Sequence, residues 1–263
     1  KGEKKKRLII LTSFLGLGVN IASAKLINPR MLAASIFAIC ALDDSGVKCW
    51  GDNYFGQGTV PALKNVRSLV SGGAHLCALD DLGVKCWGSN TLGQASVPQL
   101  KNPTRIFAGG GASCAFDDTG IICWGNGATA ITTAISQLKN PTQIAIGADH
   151  GCALDENGVK CWGDNTHGQT SVPVLKKPTS VLASSYISCA IDEGELKCWG
   201  RLESGLTNIP KLKDTRGVVF GVTQACALHE GGVKCWGFGA EAPYGLVETS
   251  KMRTISSGVR TAR

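Results

Sequence analysis

The cysteines of this 263-residue chain form a strict repeat. Six times, a cysteine is followed nine positions later by a second cysteine and then directly by Trp-Gly, which uses all 12 cysteines and all six tryptophans. The pairs are Cys40 and Cys49, Cys77 and Cys86, Cys114 and Cys123, Cys152 and Cys161, Cys189 and Cys198, and Cys226 and Cys235. Consecutive first cysteines lie 37 or 38 residues apart. A period of this length is typical of an array built from one supersecondary unit, such as a solenoid or a propeller.

Each cysteine pair brackets a predicted β-hairpin. In the first unit, apolar residues flank the polar turn Asp43-Asp44-Ser45-Gly46, where glycine suits a positive φ. If Leu42 faces Val47 across this turn, Cys40 lies opposite Cys49, close enough for a disulfide. The spacing therefore predicts one disulfide per hairpin, although pairing between neighbouring units also fits the sequence.

Metal binding is the other interpretation of paired cysteines. Gaps of eight residues do not match the short ligand loops of zinc sites, and the units lack a consistent second pair of Cys or His. The paired acids of the turns suit turn chemistry better than a calcium loop. We expect no metal and no other cofactor.

Two further strands are predicted in each unit, one before the first cysteine (residues 67–71) and one after Trp-Gly (residues 59–61). Four short strands in about 37 residues, with no helical periodicity, predict an all-β fold, a β-propeller of four-stranded blades. The repeats span about residues 26–63, 64–100, 101–138, 139–175, 176–212 and 213–249, and residues 250–263 start a seventh. The first residue is Lys1, and the sequence stops where the seventh unit's first cysteine is due. Our hypothesis is a fragment of a propeller that has seven blades in the intact protein.

The N-terminus has the features of a secretory signal peptide. Five basic residues in the first seven positions precede an apolar run (8–19) and the small residues Ala22-Ser23-Ala24. We expect residues 1–24 to be a signal peptide and residues 25–263 to be the propeller domain, with an uncleaved membrane anchor as the alternative. No later segment is apolar enough to span a membrane.

Cleavage would leave 22 basic and 19 acidic residues, so the net charge would fall from +7 to +3. Such a small charge does not favour a nucleic-acid partner. Paired cysteines behind a signal peptide suit an oxidising compartment. We therefore predict export to the periplasm, the cell surface or the medium.

Several segments resemble a known repeat. They are Gly72-Gly73-Ala74-His75 before a cysteine, Ala-Leu-x-x-x-Gly after it, and Asp52-Asn53-Tyr54-Phe55-Gly56-Gln57 after Cys-Trp-Gly. The chain resembles regulator-of-chromosome-condensation-type repeat proteins, and more closely the bacterial secreted members that include propeller-shaped inhibitors of β-lactamases. This resemblance implies a propeller, typically seven-bladed, that binds other proteins. The cysteines stand where those inhibitors carry apolar residues.

Differences between the units mark the candidate site. The cysteines, the turns and Trp-Gly vary little, and we expect the tryptophans to pack between blades. The units differ after Trp-Gly and just before the first cysteine, at positions that would form rings on one surface of a propeller. Exposed aromatic residues are the usual anchors of an interface. The candidate partner-binding residues are Phe37, Asp52, Asn53, Tyr54, Phe55, His75, Asn90, His150, Asn165, His167 and Tyr186.

The residues favour a binding module over an enzyme. The chain has four histidines, no unit joins a nucleophile to a base, and no Gly-rich phosphate loop opens a helix, so we predict no catalytic residue. We predict a monomeric, exported propeller that binds another protein, for example as an inhibitor of a secreted or periplasmic enzyme. The alternatives are a carbohydrate-binding or cell-surface adhesion propeller and a polysaccharide hydrolase or lyase. Nucleotide exchange on a small GTPase, which the family name suggests, conflicts with disulfides and export.

Overall fold

The strands form a series of antiparallel sheets, one per sequence repeat. The computed structural model describes residues 30–36, 38–201, 209–212, 215, 217–220, 224–229, 232–237 and 254–257, so the predicted signal peptide (1–24) lies outside the described residues. The first three sheets contain β1 (Met31–Ala34), β2 (Ala38–Asp43) and β3 (Gly46–Gly51); β4 (Ser68–Ser71), β5 (His75–Asp80) and β6 (Gly83–Gly88); β7 (Arg105–Gly109), β8 (Ala112–Asp117) and β9 (Gly120–Gly125). The next three contain β10 (Gln143–Ile146), β11 (His150–Asp155) and β12 (Gly158–Gly163); β13 (Pro178–Ser184), β14 (Ile187–Asp192) and β15 (Glu195–Gly200); β16 (Gly217–Phe220), β17 (Gln224–His229) and β18 (Gly232–Gly237). We call them blades 1 to 6. A last strand, β19 (Thr254–Ser257), pairs in parallel with β1.

The second and third strands of each blade form the predicted hairpin. In blade 1, Leu42 pairs with Val47, Cys40 with Cys49 and Asp43 with Gly46. Gly46 has a φ of 113°, which only glycine adopts easily. The register expected from the spacing of the cysteines is therefore the register of the sheet.

Disulfides close the hairpins of blades 1 to 5, as predicted, and none of these five bridges joins two units. They join Cys40 to Cys49, Cys77 to Cys86, Cys114 to Cys123, Cys152 to Cys161, and Cys189 to Cys198. In blade 6 the backbone of Cys226 pairs with that of Cys235, in the same register. The predicted sixth bridge lies outside the described part of the molecule.

The blades are arranged side by side, with their first strands innermost. The first strands contact one another in succession, β1 with β4, β4 with β7, β7 with β10 and β10 with β13, and β19 lies between β16 and β1. The apolar core is divided into clusters that two neighbouring blades share. Leu42 of blade 1, for example, packs with Leu76 and Trp87 of blade 2. The same arrangement places Trp124 against Leu79 and Trp199 against Cys152, which confirms that these tryptophans pack between blades.

The blades have three strands where four were predicted. Among the described residues, each sheet contains three strands, and β19 alone adds a fourth to blade 1. The segments after Trp-Gly do not join the ladder, because Pro61, Pro98 and Pro173 have no N–H to donate and because the chain crosses here to the next blade. Val60 of this segment packs against the core shared by blades 1 and 2.

Blade 3 contains a helix that the sequence analysis did not predict. The helix α1 (Ala128–Ser136) follows β9 and replaces the loop found there in blades 1, 2 and 4. Its buried residues Ile131 and Ile135 lie one turn apart and pack against Ile144 and Ile146 of blade 4. Two isoleucines at this spacing are a weak helical signal, which explains the omission. No helix within the described residues is long and apolar enough to cross a membrane.

In blades 2, 4 and 5, a buried aspartate fastens the hairpin turn to the linker that precedes the blade. Asp80 accepts hydrogen bonds from the backbone N–H of Leu82 in its own turn (2.8 Å) and of Lys64 in the linker (2.9 Å), and it pairs with Lys85 (3.3 Å). Burial alone would raise the pKa of Asp80, but these N–H donors and the Lys85 ammonium outweigh it and lower the pKa. The turn acids therefore serve the fold, as predicted.

Candidate functional site

The loops that follow β3, β6 and β12 share one architecture. We call them tip loops 1, 2 and 4, after their blades (residues 52–59, 89–96 and 164–171). In each, an asparagine closes the loop: its Oδ1 accepts from the backbone N–H five residues on, and its Nδ2 donates to a hydroxyl six residues on. The acceptor distances are 2.7 Å at Asn53, 2.9 Å at Asn90 and 2.9 Å at Asn165. The donor distances are 3.2, 2.9 and 3.1 Å.

A buried glutamine fixes the other side of each tip loop. Its Oε1 accepts the backbone N–H two residues earlier, at 2.8 Å for Gln57, 2.8 Å for Gln94 and 2.9 Å for Gln169. The backbone carbonyl of the same glutamine accepts the indole N–H of the next blade's tryptophan, in each case at 2.9 Å. The loop is thus held to its own blade and to its neighbour. Between the asparagine and the glycine of each loop lie two residues that differ from loop to loop: Tyr54-Phe55, Thr91-Leu92 and Thr166-His167.

These variable pairs form one surface at the end of the molecule opposite the hairpin turns. Tyr54 is 81% exposed, Phe55 38% and Leu92 49%. The rings of Tyr54 and Phe55 meet edge to face at 4.8 Å. We call this surface the loop end and the opposite surface the turn end.

Side chains of tip loops 2 and 4 also contact the next blade. A Cβ on Gly111 of blade 3 would lie only 2.8 Å from Cδ1 of Leu92, so Leu92 lies directly over that glycine. At the equivalent position of blade 5, the ring of Tyr186 contacts His167 with their centroids 5.0 Å apart, and the Arg201 guanidinium lies 6.0 Å from the Tyr186 ring centre. The structure therefore brings His167 and Tyr186 together, two of the predicted residues that lie 19 positions apart in the chain.

The predicted polar residues of the loops are exposed, but their side chains act within the loops. Asp52 accepts the N–H of Tyr54 at 2.9 Å, and Asn53, Asn90 and Asn165 make the bonds given above. Each of these side chains thus makes at least one hydrogen bond within its own loop. Phe37 lies outside the described residues.

His75 and His150 are not on the surface, where the sequence analysis placed them. They are 0% and 4% exposed. Nε2 of His75 lies 2.8 Å from Ser113 Oγ of blade 3, and Nε2 of His150 lies 2.9 Å from Ser188 Oγ of blade 5. Burial lowers the pKa of each imidazole to about 4, so both are neutral at pH 7. They point into the boundary between blades, so we remove them from the proposed contact surface.

The sequence contained a signal for this pairing. A serine directly precedes the first cysteine in blades 3 and 5 alone, and a histidine lies two positions before the first cysteine in blades 2 and 4 alone. The histidine of one unit thus comes with the serine of the next. Leu92 was also missed, because only aromatic residues were predicted as anchors of the contact surface.

Charge is distributed unevenly between the two ends. From residue 30 to residue 201, every Lys and Arg except Arg201 contacts a hairpin turn or a linker at the turn end, through its side chain or its backbone N–H. The loop end carries Asp52, Asp149 and Asp164. Its surface is therefore aromatic and polar rather than basic. No group of three or more His, Cys, Asp or Glu within the described residues could hold a metal ion.

Two segments of the chain match a known repeat family. Residues 66–94 and 142–169 match the Regulator of chromosome condensation (RCC1) repeat. They include most of tip loops 2 and 4. No curated protein sequence gives a significant match to the chain.

Solved structures of similar fold include two plant receptor ectodomains. The ectodomain of the Physcomitrella patens receptor kinase CR4 has a TM-score of 0.66 and 26% identity over 81% of this chain, and the chain spans 65% of it. The CRINKLY WD40 ectodomain of the Arabidopsis thaliana receptor kinase ACR4 has a TM-score of 0.67 and 25% identity, with 87% of this chain and 89% of that one covered.

A third similar structure is Prp20p from Saccharomyces cerevisiae, which was studied for its binding to Gsp1p and histones. Its TM-score is 0.67 and its identity 20%, over 96% of this chain and 89% of Prp20p, so it supports the fold alone. The two matched segments are similar to RCC1 repeats, and the repeated sheets give the chain a β-propeller fold like that of these structures.

Proposed function

We propose that this chain is an exported, disulfide-stabilised β-propeller that binds another protein through its loop end. The observation that carries the proposal is the construction of tip loops 1, 2 and 4. In each, an asparagine and a glutamine that recur at the same positions hold the backbone, while the two outward residues change from loop to loop. A rigid scaffold with variable exposed residues is the usual arrangement of a recognition surface.

The chemistry of the loop end supports a protein partner. Tyr54, Phe55 and Tyr186 are the aromatic types that dominate interface energetics, and Leu92 and His167 extend the surface along neighbouring blades. A glycan-binding site would need free amides and carboxylates beside its aromatic rings. The asparagine amides of the three tip loops are instead engaged by their own loops.

Export is supported by the disulfides. Five bridges close five hairpins, and the first cysteine of each pair is buried. Such bridges indicate a non-cytosolic environment, because they form and persist in oxidising compartments. An inhibitor of a secreted or periplasmic enzyme is one form that an exported protein-binding propeller of this kind would take.

The test is affinity capture from the envelope and medium of the producing organism, with residues 25–263 as bait. We expect one or a few proteins to be captured by the unaltered chain and lost with the double variant Tyr54→Ala and Phe55→Ala. Truncating an interface anchor costs about 2 kcal/mol or more, which weakens binding about 30-fold. Leu82→Ala is the matched control, because Leu82 is a comparably exposed apolar residue (71%) on a turn at the other end.

Two outcomes would contradict the proposal. Equal loss of capture with Leu82→Ala would mean that the loop end is not the binding surface. Strong binding on a glycan array that Tyr54→Ala abolishes, with no protein captured, would favour the carbohydrate-binding alternative.

A further inference from the structure

Two identical chains of hydrogen bonds run from a buried histidine to a tip loop. In the first, His75 Nε2 lies 2.8 Å from Ser113 Oγ, which lies 2.9 Å from the backbone oxygen of Gln94 in tip loop 2. In the second, His150 Nε2 lies 2.9 Å from Ser188 Oγ, which lies 2.7 Å from the backbone oxygen of Gln169 in tip loop 4. Each chain leaves a blade, enters the next blade, and returns to the first blade's own loop.

The direction of each bond follows from the chemistry of its ends. A backbone carbonyl can only accept, so the serine hydroxyl donates its single proton to Gln94 or Gln169. The serine oxygen must then accept a proton from the imidazole, which fixes the neutral histidine with its hydrogen on Nε2. Nδ1 of both imidazoles has no hydrogen-bond partner among the described residues. A second proton on the His75 ring would therefore be buried without an acceptor, which is costly. At His150 the Ile187 backbone offsets only part of the cost of burying that proton.

The space around each imidazole is also built for it. A Cβ on Gly72 would overlap Cε1 of His75, and a Cβ on Gly147 would overlap Cε1 of His150. Burial is the largest cause of the lowered pKa at both histidines. At His150, the backbone of Ile187 and the Asp164 carboxylate raise the pKa and so oppose part of this lowering.

Tip loop 1 provides a comparison within the same molecule. The carbonyl of Gln57 accepts the indole N–H of Trp87, as its counterparts accept those of Trp124 and Trp199. It has no serine hydroxyl beside it, because blade 2 has Leu76 at the position that holds a serine in blades 3 and 5. Tip loop 1 thus has the asparagine, the glutamine and the tryptophan, but not the histidine and the serine.

We propose that His75 and His150 are positioning residues of the loop end, which hold tip loops 2 and 4 in place through Ser113 and Ser188 and release these two loops in acid. This proposal about how tip loops 2 and 4 are held does not depend on whether the protein has a binding partner. The consequence for binding, namely weaker affinity at low pH, rests on the proposed function.

The test follows the backbone amides of the loops by two-dimensional NMR on the purified, oxidised protein between pH 7.5 and pH 4. We expect the amides of Leu92, Ala95, His167 and Thr170 to shift or broaden as the imidazoles gain protons. The amides of tip loop 1, such as that of Gly58, are expected to stay unchanged. Nitrogen shifts of the two imidazoles at pH 7.5 should report the Nε2–H form.

Two conservative variants separate positioning from general stability. Ser113→Ala should loosen tip loop 2 at pH 7.5 and leave tip loop 4 unchanged, and Ser188→Ala should do the reverse, so each variant is the control for the other. Hydrogen exchange at Ala95 or Thr170 is expected to accelerate about tenfold in the corresponding variant.

The inference is overturned if Ser113→Ala leaves the amides of Leu92 and Ala95 unchanged, or if acid affects all three loops together. Loops that respond as expected in a protein that captures no partner would contradict the proposed function alone.

Discussion

The indole N–H groups of the tryptophans differ from blade to blade, although all six tryptophans occupy the same repeat position. Trp87 donates to the Gln57 carbonyl of the preceding blade at 2.9 Å. Nε1 of Trp162 is buried without a hydrogen-bond partner among the described residues, because α1 occupies the place of a glutamine loop in blade 3. The indole N–H therefore donates a hydrogen bond to the preceding blade at Trp87 but has no acceptor among the described residues at Trp162.

This difference predicts unequal costs for the same substitution. Trp87→Phe removes a buried hydrogen bond and leaves the Gln57 carbonyl without its donor, whereas Trp162→Phe removes a donor that has no acceptor among the described residues. Both changes lose similar ring volume. We expect Trp87→Phe to lower the free energy of unfolding by about 1 kcal/mol more than Trp162→Phe, as measured by urea denaturation. Equal losses would mean that the indole bond contributes nothing to stability.

At the scale of the hairpin, the disulfides act on register rather than on the assembly of blades. Each bridge closes a loop of about ten residues, for which chain entropy gives about 2.7 kcal/mol. The double variant Cys77→Ala and Cys86→Ala should therefore lower the free energy of unfolding by about that amount, measured in denaturant under oxidising conditions. The blade packing that surrounds Trp87 should persist, and its fluorescence maximum in the native state is the control. A variant that loses the native fluorescence without denaturant would show that the bridge is required for assembly of the blades.

The hairpins were also the elements that the sequence predicted best. Their register follows from spacing inside one unit: the pairing of Leu42 with Val47 places Cys40 opposite Cys49. The segment around Val60, after Trp-Gly, was predicted as a fourth strand, but it packs against the core shared by blades 1 and 2 and crosses to the next blade. His75 was assigned to the surface because no feature of its own unit shows Ser113, which is 38 residues away and arrives only when blades 2 and 3 pack.

At the scale of the whole molecule, the two buried histidines link stability to pH. The pKa of each falls from its ordinary value of 6.5 to about 4 in the folded state, so the unfolded chain binds more protons between these values. The stabilisation is present above pH 6.5 and is lost as the pH falls towards 4. A shift of this size corresponds to about 3 kcal/mol for each histidine.

We therefore expect the free energy of unfolding to decline between pH 6.5 and pH 4.5, measured by denaturant titration at a series of pH values. The pKa of Asp80, Asp155 and Asp192 is lowered, so their contribution is lost at more acid pH and does not account for this window. The double variant His75→Gln and His150→Gln is the control, and its stability should vary much less with pH over the same range. A stability that stays constant in the unaltered protein down to pH 4.5 would contradict the expectation.

The way in which Asn and Gln hold each tip loop has a consequence for how such a protein changes over time. Because the side chains that shape the loop are not the ones it presents, the outward pairs at 54–55, 91–92 and 166–167 can mutate with little penalty to folding. A lineage could exchange one target for another through a handful of codons. A laboratory library randomised at those positions should likewise keep most of its members folded.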